Sequence, residues 1–143
     1  MTQTHILSAF DRDLEAVQAL LMRMGGLVEQ AILEAAEALE TRDDELAQKV
    51  RAGDKVIDTL EHDIQTECAR IIALRAPAAG DLRTVLSVMK IAAALERCGD
   101  YAKNLAKRSV QLSQMQGLGG AAGAIRRLAR SVQMMLHDAL DAY

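Results

Sequence analysis

Apolar residues at steps of three and four run unbroken through the first segment of the chain. They are Leu7, Phe10, Leu14, Val17, Leu21, Met24, Val28, Ala31, Ala35 and Ala38. Such a seam spans more than four heptads and suits one long helix that buries a single stripe. The spacing predicts a helix over residues 5–41. Gly25 and Gly26 interrupt it chemically but not periodically. Each costs about 1 kcal/mol inside a helix, which close approach of a neighbouring helix would offset.

The same periodicity returns three more times. "ETRDDE", Glu40 to Glu45, breaks the seam and offers capping oxygens in Thr41 and Asp43. A second helix is expected over 43–75, with Leu46, Val50, Ile57, Leu60, Ile64, Cys68, Ile71 and Leu74 on its apolar side. "RAPAAGDLR", Arg75 to Arg83, ends it, because Pro77 cannot continue a helix but can begin one. A third helix follows over 78–115, with Leu82, Val85, Met89, Ala92, Leu95, Ala102 and Leu105 inward. "QGLGGAAGA", Gln116 to Ala124, holds four of the nine glycines and is expected to be a linker. A fourth helix over 122–143 carries Ile125, Leu128, Val132, Met135, Ala139 and Ala142 as its apolar stripe.

Long helices joined by short turns must lie antiparallel to their neighbours. The expected fold is therefore all-α: an antiparallel three-helix bundle over 1–115, a glycine-rich linker over 116–124, and a further helix over 125–143. An offset of 104 residues places Arg23, Val28, Ala35 and Ala38 on Arg127, Val132, Ala139 and Ala142. The last helix is thus expected to open a second repeat, and the chain to be a fragment or short form. Packing of its apolar stripe on the first bundle, or pairing with another chain as a homodimer, is the expected outcome.

Composition narrows the classes. The chain has 143 residues, a net charge of -3 and three aromatic residues, so non-specific nucleic-acid binding is disfavoured. Cys68 and Cys98 stand alone on separate helical patterns, which suggests reduced thiols rather than a disulfide. No stretch has the roughly 18 consecutive apolar residues of a membrane-spanning helix.

The candidate chemistry lies in carboxylates. Five acidic pairs sit four residues apart, against about three expected from random placement. Geometry selects two of them. Asp58 lies 19 residues before Pro77 and Glu96 lies 19 after it; Asp54 and Asp100 lie 23 to either side. A tight bend at Pro77 therefore sets Asp54, Asp58, Glu96 and Asp100 on two adjacent levels, and Asn104 extends the stripe. Carboxylate and amide oxygens without thiolates suit magnesium, calcium, manganese or iron; zinc usually takes nitrogen or sulfur. The competing reading is a solvated stripe opposite lysines such as Lys55 and Lys103. Carboxylate-bridged di-iron enzymes need Glu-x-x-His twice. None of His5, His62 and His137 has an acid three positions earlier. Nucleophile sets, phosphate loops and dinucleotide motifs are also missing, so no enzyme activity is expected. Cys98 beside the acids is read as a small packing residue.

"LERCGDYAKNLAKR", "RAPAAGDLR" and "DKVIDTLEHDI" together resemble the PhoU family, the phosphate-uptake regulators. "MGGLVEQAI" and the pattern of Phe10, Leu14 and Val17 are similar to that family's first helix. The resemblance implies that Asp54 with Asp58, and Glu96 with Asp100, are the family's paired acidic signatures, and that Asn104 is the amide one step on. It implies a cytoplasmic, non-enzymatic regulator binding multinuclear metal clusters, with iron, manganese, zinc or magnesium as candidate ions. It implies as partners the ATPase subunit of the phosphate transporter (PstB-like) and a membrane sensor histidine kinase (PhoR-like), with starvation genes held silent when phosphate is plentiful. The family has two complete repeats. This chain matches the first and the opening helix of the second, so the second metal cluster is expected to be missing. The alternatives are a structural interaction module without metal, and a carboxylate-bridged metalloenzyme.

Overall fold

A computed structural model of the protein describes residues 2–115, 117 and 119–143, with side chains from residue 9 onward. Four helices follow in order: α1 (Thr2–Thr41), α2 (Asp44–Arg75), α3 (Ala79–Ser113) and α4 (Ala121–Asp141). The side chain of Leu7, which opens the expected seam, and that of His5 lie outside the described residues. So do Met1, and Gln116 and Leu118 of the expected linker.

Each turn follows from its residues. α1 ends where Arg42 adopts a left-handed backbone, φ 57°. That conformation costs a non-glycine residue roughly 1 kcal/mol. The amide of Asp43 then donates to the carbonyl of Ala38, which satisfies one of the terminal acceptors of α1. Asp43 also starts α2: its Oδ1 accepts from the amide of Leu46 at 2.9 Å. Two residues thus reverse the chain. At the second bend Ala76 is left-handed (φ 44°) and its amide donates to Ile72, after which Pro77 and Ala78 lead into α3. The third connection leads into a helix that starts within one residue of the expected position 122. α4 begins at Ala121, so the stretch assigned to a linker over 116–124 ends in helix.

α1 is 40 residues long, about 60 Å at ~1.5 Å per residue, and buries two faces. Its heptad stripe (Phe10, Val17, Leu21, Met24, Val28, Ala35 and Ala38) joins the core with α2 and α3. A second stripe, with Gly25, Ile32 and Ala36, turns toward α4. α4 approaches closely at Gly25, where an added Cβ would lie 2.5 Å from a Leu140 methyl, the movable end of that side chain. Gly26 has open space.

α2 and α3 run antiparallel with the register expected from Pro77. The Gln65 side-chain amide donates to the Met89 carbonyl at 3.2 Å, and those residues lie 12 on either side of Pro77. Beside that bend, Asp13 of α1 accepts from Arg70 at 3.2 Å and Arg75 at 2.9 Å on α2. Arg75 first, then Arg70, hold the Asp13 carboxyl below its usual range, against the effect of burial. A depressed carboxyl stabilises the fold above its unfolded pKa of about 4, and that contribution is lost as pH falls through the lower folded value. Asp13→Asn should therefore flatten part of the stability loss seen in urea titrations from pH 6 to pH 3. Identical acid profiles for the two proteins would show that this ion pair contributes nothing.

The fourth helix requires a correction. The stripe expected to pack on the first bundle, or else to pair with another chain, was Ile125, Leu128, Val132, Met135, Ala139 and Ala142. Ile125 is half-buried, but the other five are exposed, Leu128 by 64% and Met135 by 71%. The buried residues are Ala122, Ala129 and Leu140. α4 has apolar residues on a wide arc, and its partner is the second face of α1, not the core stripe. Gln133 donates to Glu29 across this contact at 2.6 Å, and Arg126 pairs with Glu40. Glu29 and Gln133 are 104 residues apart, so a residue of α1 touches its own offset equivalent on α4. Such a contact is what a local two-fold axis between the helices produces.

Candidate metal centre

Asp54 occupies a core position. The buried side of α2 reads Ala47, Val50, Asp54, Ile57, Leu60, Ile64, Cys68 and Ile71, a continuous helical stripe with one acid in it. Facing it, the buried side of α3 reads Val88, Ala92, Leu95, Gly99, Ala102 and Ala106. Gly99 lies beside the acid. A Cβ there would stand 3.3 Å from two Ile57 carbons and 3.7 Å from Asp54 Oδ1. The tight contacts are those with Ile57, so Gly99 lets α2 and α3 pack closely beside the acid.

Asp54 is only 3% exposed. Its Oδ2 accepts from Lys103 Nζ at 2.5 Å, and its Oδ1 is buried with no hydrogen-bond partner. An orphaned carboxylate oxygen inside a core costs free energy unless something positive reaches it. Lys103 also lies 4.0 Å from Asp100 Oδ1, one turn back on α3. Hydrogen bonding to Asp54, and then its charge, raise Lys103 above an ordinary lysine.

The remaining acids feel one another. Burial pushes the Asp58 carboxyl up, the Asp54 charge adds to this, Lys103 opposes it, and Asp100 and Glu61 push up further. Burial raises the Glu96 carboxyl as well, followed by Asp100, Asp58 and Glu61. Two carboxyls raised by each other's neighbours mark an excess of negative charge that one lysine does not neutralise.

The sequence-selected acids Asp54, Asp58, Glu96 and Asp100 thus lie close enough across the α2–α3 bend to feel one another's charge. Asn104 stands exposed a turn further on. Glu61 was missed, although residues 54, 58 and 61 fall on one helical stripe. Lys103 was placed among solvated counter-charges, whereas its ammonium sits on the buried acid. Cys98 is half-buried with its thiol pushed up by burial, and it lines an apolar groove of about 320 Å³ with Tyr101, Leu105, Ile125 and Leu128 rather than the acids. Cys68 is fully buried, its thiol pushed up to about 11, which leaves it unreactive at neutral pH.

The donor set fits a hard cation in kind: carboxylate oxygens on adjacent levels, with one of them buried and unpartnered. As the side chains stand, no three His, Cys, Asp or Glu groups surround a single point among the described residues. The Lys103 ammonium stands between two of these acids, 2.5 Å from Asp54 Oδ2 and 4.0 Å from Asp100 Oδ1.

Fold and site define a class: an all-α bundle whose second and third helices carry paired acids across a proline bend. Residues 21–109 match the PhoU domain, and the chain belongs to that family. It is 40% identical over 139 residues to the phosphate-specific transport system accessory protein PhoU homolog of Caulobacter vibrioides, covering 97% of this chain and 60% of that one. It is 38% identical over 139 residues to the phosphate-specific transport system accessory protein PhoU of Escherichia coli K12, covering 97% and 57%. The crystal structure of PhoU from Pseudomonas aeruginosa superposes with a TM-score of 0.89 at 42% identity, over 93% of this chain and 64% of that one. The chain therefore spans less than two thirds of the length of these relatives.

Proposed function

We propose that this chain is an accessory regulator of phosphate-specific transport whose α2–α3 acids bind metal ions. The names its relatives carry support the phosphate role. The metal role rests on one observation: a core carboxylate, Asp54, with an unpartnered oxygen, in a pair whose lysine also reaches Asp100. A hard cation there supplies positive charge that ties α2 to α3. It neutralises the stripe and sets the spacing of the two helices. Partner proteins dock on the long helix faces so fixed: the transporter's ATPase subunit and a membrane sensor kinase, with repression of starvation genes as the output. The protein works in the cytoplasm and reaches the membrane through these partners. No described helix is long and apolar enough to cross a membrane.

A second reading is favoured by Lys103. If its ammonium alone neutralises Asp54, the bundle is an interaction module indifferent to metal. Pull-down of the transporter ATPase by the chain, with manganese and then with chelator, separates the two. The metal reading expects capture with manganese and at least severalfold less with chelator, and little capture in either condition by the Glu96→Gln, Asp100→Asn double variant. Equal capture in every arm favours the module without metal. No capture in any arm removes the transporter role.

A further inference from the structure

We propose that Lys103 is a built-in competitor for the metal site, an internal cation that occupies Asp54 and must leave it before an ion can bind there. The inference rests on the metal reading above and adds what gates that site. Asp54 is 3% exposed, so whatever neutralises it must come from within its own layer. One oxygen, Oδ2, takes the Lys103 ammonium at 2.5 Å; the other, Oδ1, is buried without a partner. A single ammonium on one oxygen leaves the carboxylate half satisfied; a hard multivalent cation held by Asp54 together with Asp100 or Asp58 would supply the missing positive charge.

Geometry permits the exchange. Lys103 is on the outer turn of α3 with its side chain 43% exposed, so the long stem can swing its charge into water while Asp54 stays fixed. Asp100, 4.0 Å from the ammonium, is 48% exposed and free to turn toward an ion. The lysine and the ion cannot occupy the same oxygens, because two positive charges in one small buried space repel. Arrival of metal therefore releases Lys103 to the surface of α3, and loss of metal draws it back. The protein keeps its core acid neutralised in both states, and its metal affinity is set below that of the bare carboxylates.

Two measurements on the full chain test this. Manganese binding is followed by isothermal titration for the wild type and for Lys103→Met and Lys103→Gln. Amine labelling of the wild type is followed by mass spectrometry with and without saturating manganese, with the exposed Lys55, Lys90 and Lys107 as internal references. The proposal expects both variants to bind manganese about tenfold tighter or better. It also expects Lys103 labelling to rise severalfold with metal while the reference lysines stay constant. Wild type and variants binding with equal affinity, variants binding more weakly, or Lys103 labelling unmoved by bound metal would overturn the competitor role and leave the metal reading standing. Absence of binding by wild type and variants alike would remove both. The labelling arm needs no substitution, so poor folding of a variant does not blunt the test.

Discussion

In chelator, Lys103→Met is expected to unfold roughly 4–8 °C below the wild type, the equivalent of about 2 kcal/mol for a chain of this size. The loss comes from what the substitution leaves behind. Methionine fills the space of the lysine stem, so packing changes little, but Asp54 remains buried with neither oxygen paired. Removing one partner of a fully buried pair costs roughly 3–5 kcal/mol. The lower figure follows because the ammonium is 43% exposed and partly screened already. Adding Asp54→Leu to the same background should recover most of the loss, since apolar replacement of both members of such a pair is often near neutral. Chemical denaturation of the four proteins forms a double-mutant cycle that isolates the pair. A single variant within about 0.5 kcal/mol of wild type would mean that water reaches Asp54 in solution.

Gly99→Val is expected to destabilise by roughly 2–4 kcal/mol and to abolish metal binding, while Gly99→Ala stays within about 1 kcal/mol of wild type. The contrast turns on Ile57. A Cβ at residue 99 lies 3.3 Å from both its Cδ1 and its Cγ2. Cδ1 ends a chain and can move, but Cγ2 sits on a branched carbon with one favoured rotamer in a helix. Alanine recovers about 1 kcal/mol of helix propensity, which offsets the tight contact. Valine adds two more carbons into the same gap and separates α2 from α3 at the acid level. Gly25 behaves differently, because its obstacle is a terminal Leu140 methyl. Urea midpoints for both Gly99 variants check this. Equal stability of the alanine and valine forms would show that the helices are farther apart than described here.

The bundle was legible because its cues are local. Heptads marked α1, α2 and α3 to within a few residues, and Asp43 and Pro77 marked the bends. The mirror relation about Pro77 needed only a tight turn and straight helices, and the Gln65–Met89 hydrogen bond repeats it at another level. α4 misled because its apolar arc is wide enough to offer two stripes. The offset of 104 matched it to the core face of α1, and that matching face on α4 is the one left exposed, by 42% at Val132 and 71% at Met135. A usable signal was present in small residues off the α1 heptad, Gly25 and Ala36, which mark a second contact. Within the site, Asp54 was treated as one of four equal acids. Its position in the core stripe between Val50 and Ile57 singles it out. The reach of Lys103 across the helix gap depends on a rotamer, and no spacing encodes that.

Thermal unfolding of the wild type and of the Glu96→Gln, Asp100→Asn double variant, each with manganese, iron or zinc and with chelator, bears most directly on a cation shared across the bend. An ion at about 100 times its dissociation constant adds roughly 2.7 kcal/mol, or about 5–11 °C here. The wild type should show that rise with at least one metal, and the double variant little of it. Melting curves of the wild type that coincide with every metal and with chelator would contradict the shared ion and leave Lys103 as the sole counter-charge of the site.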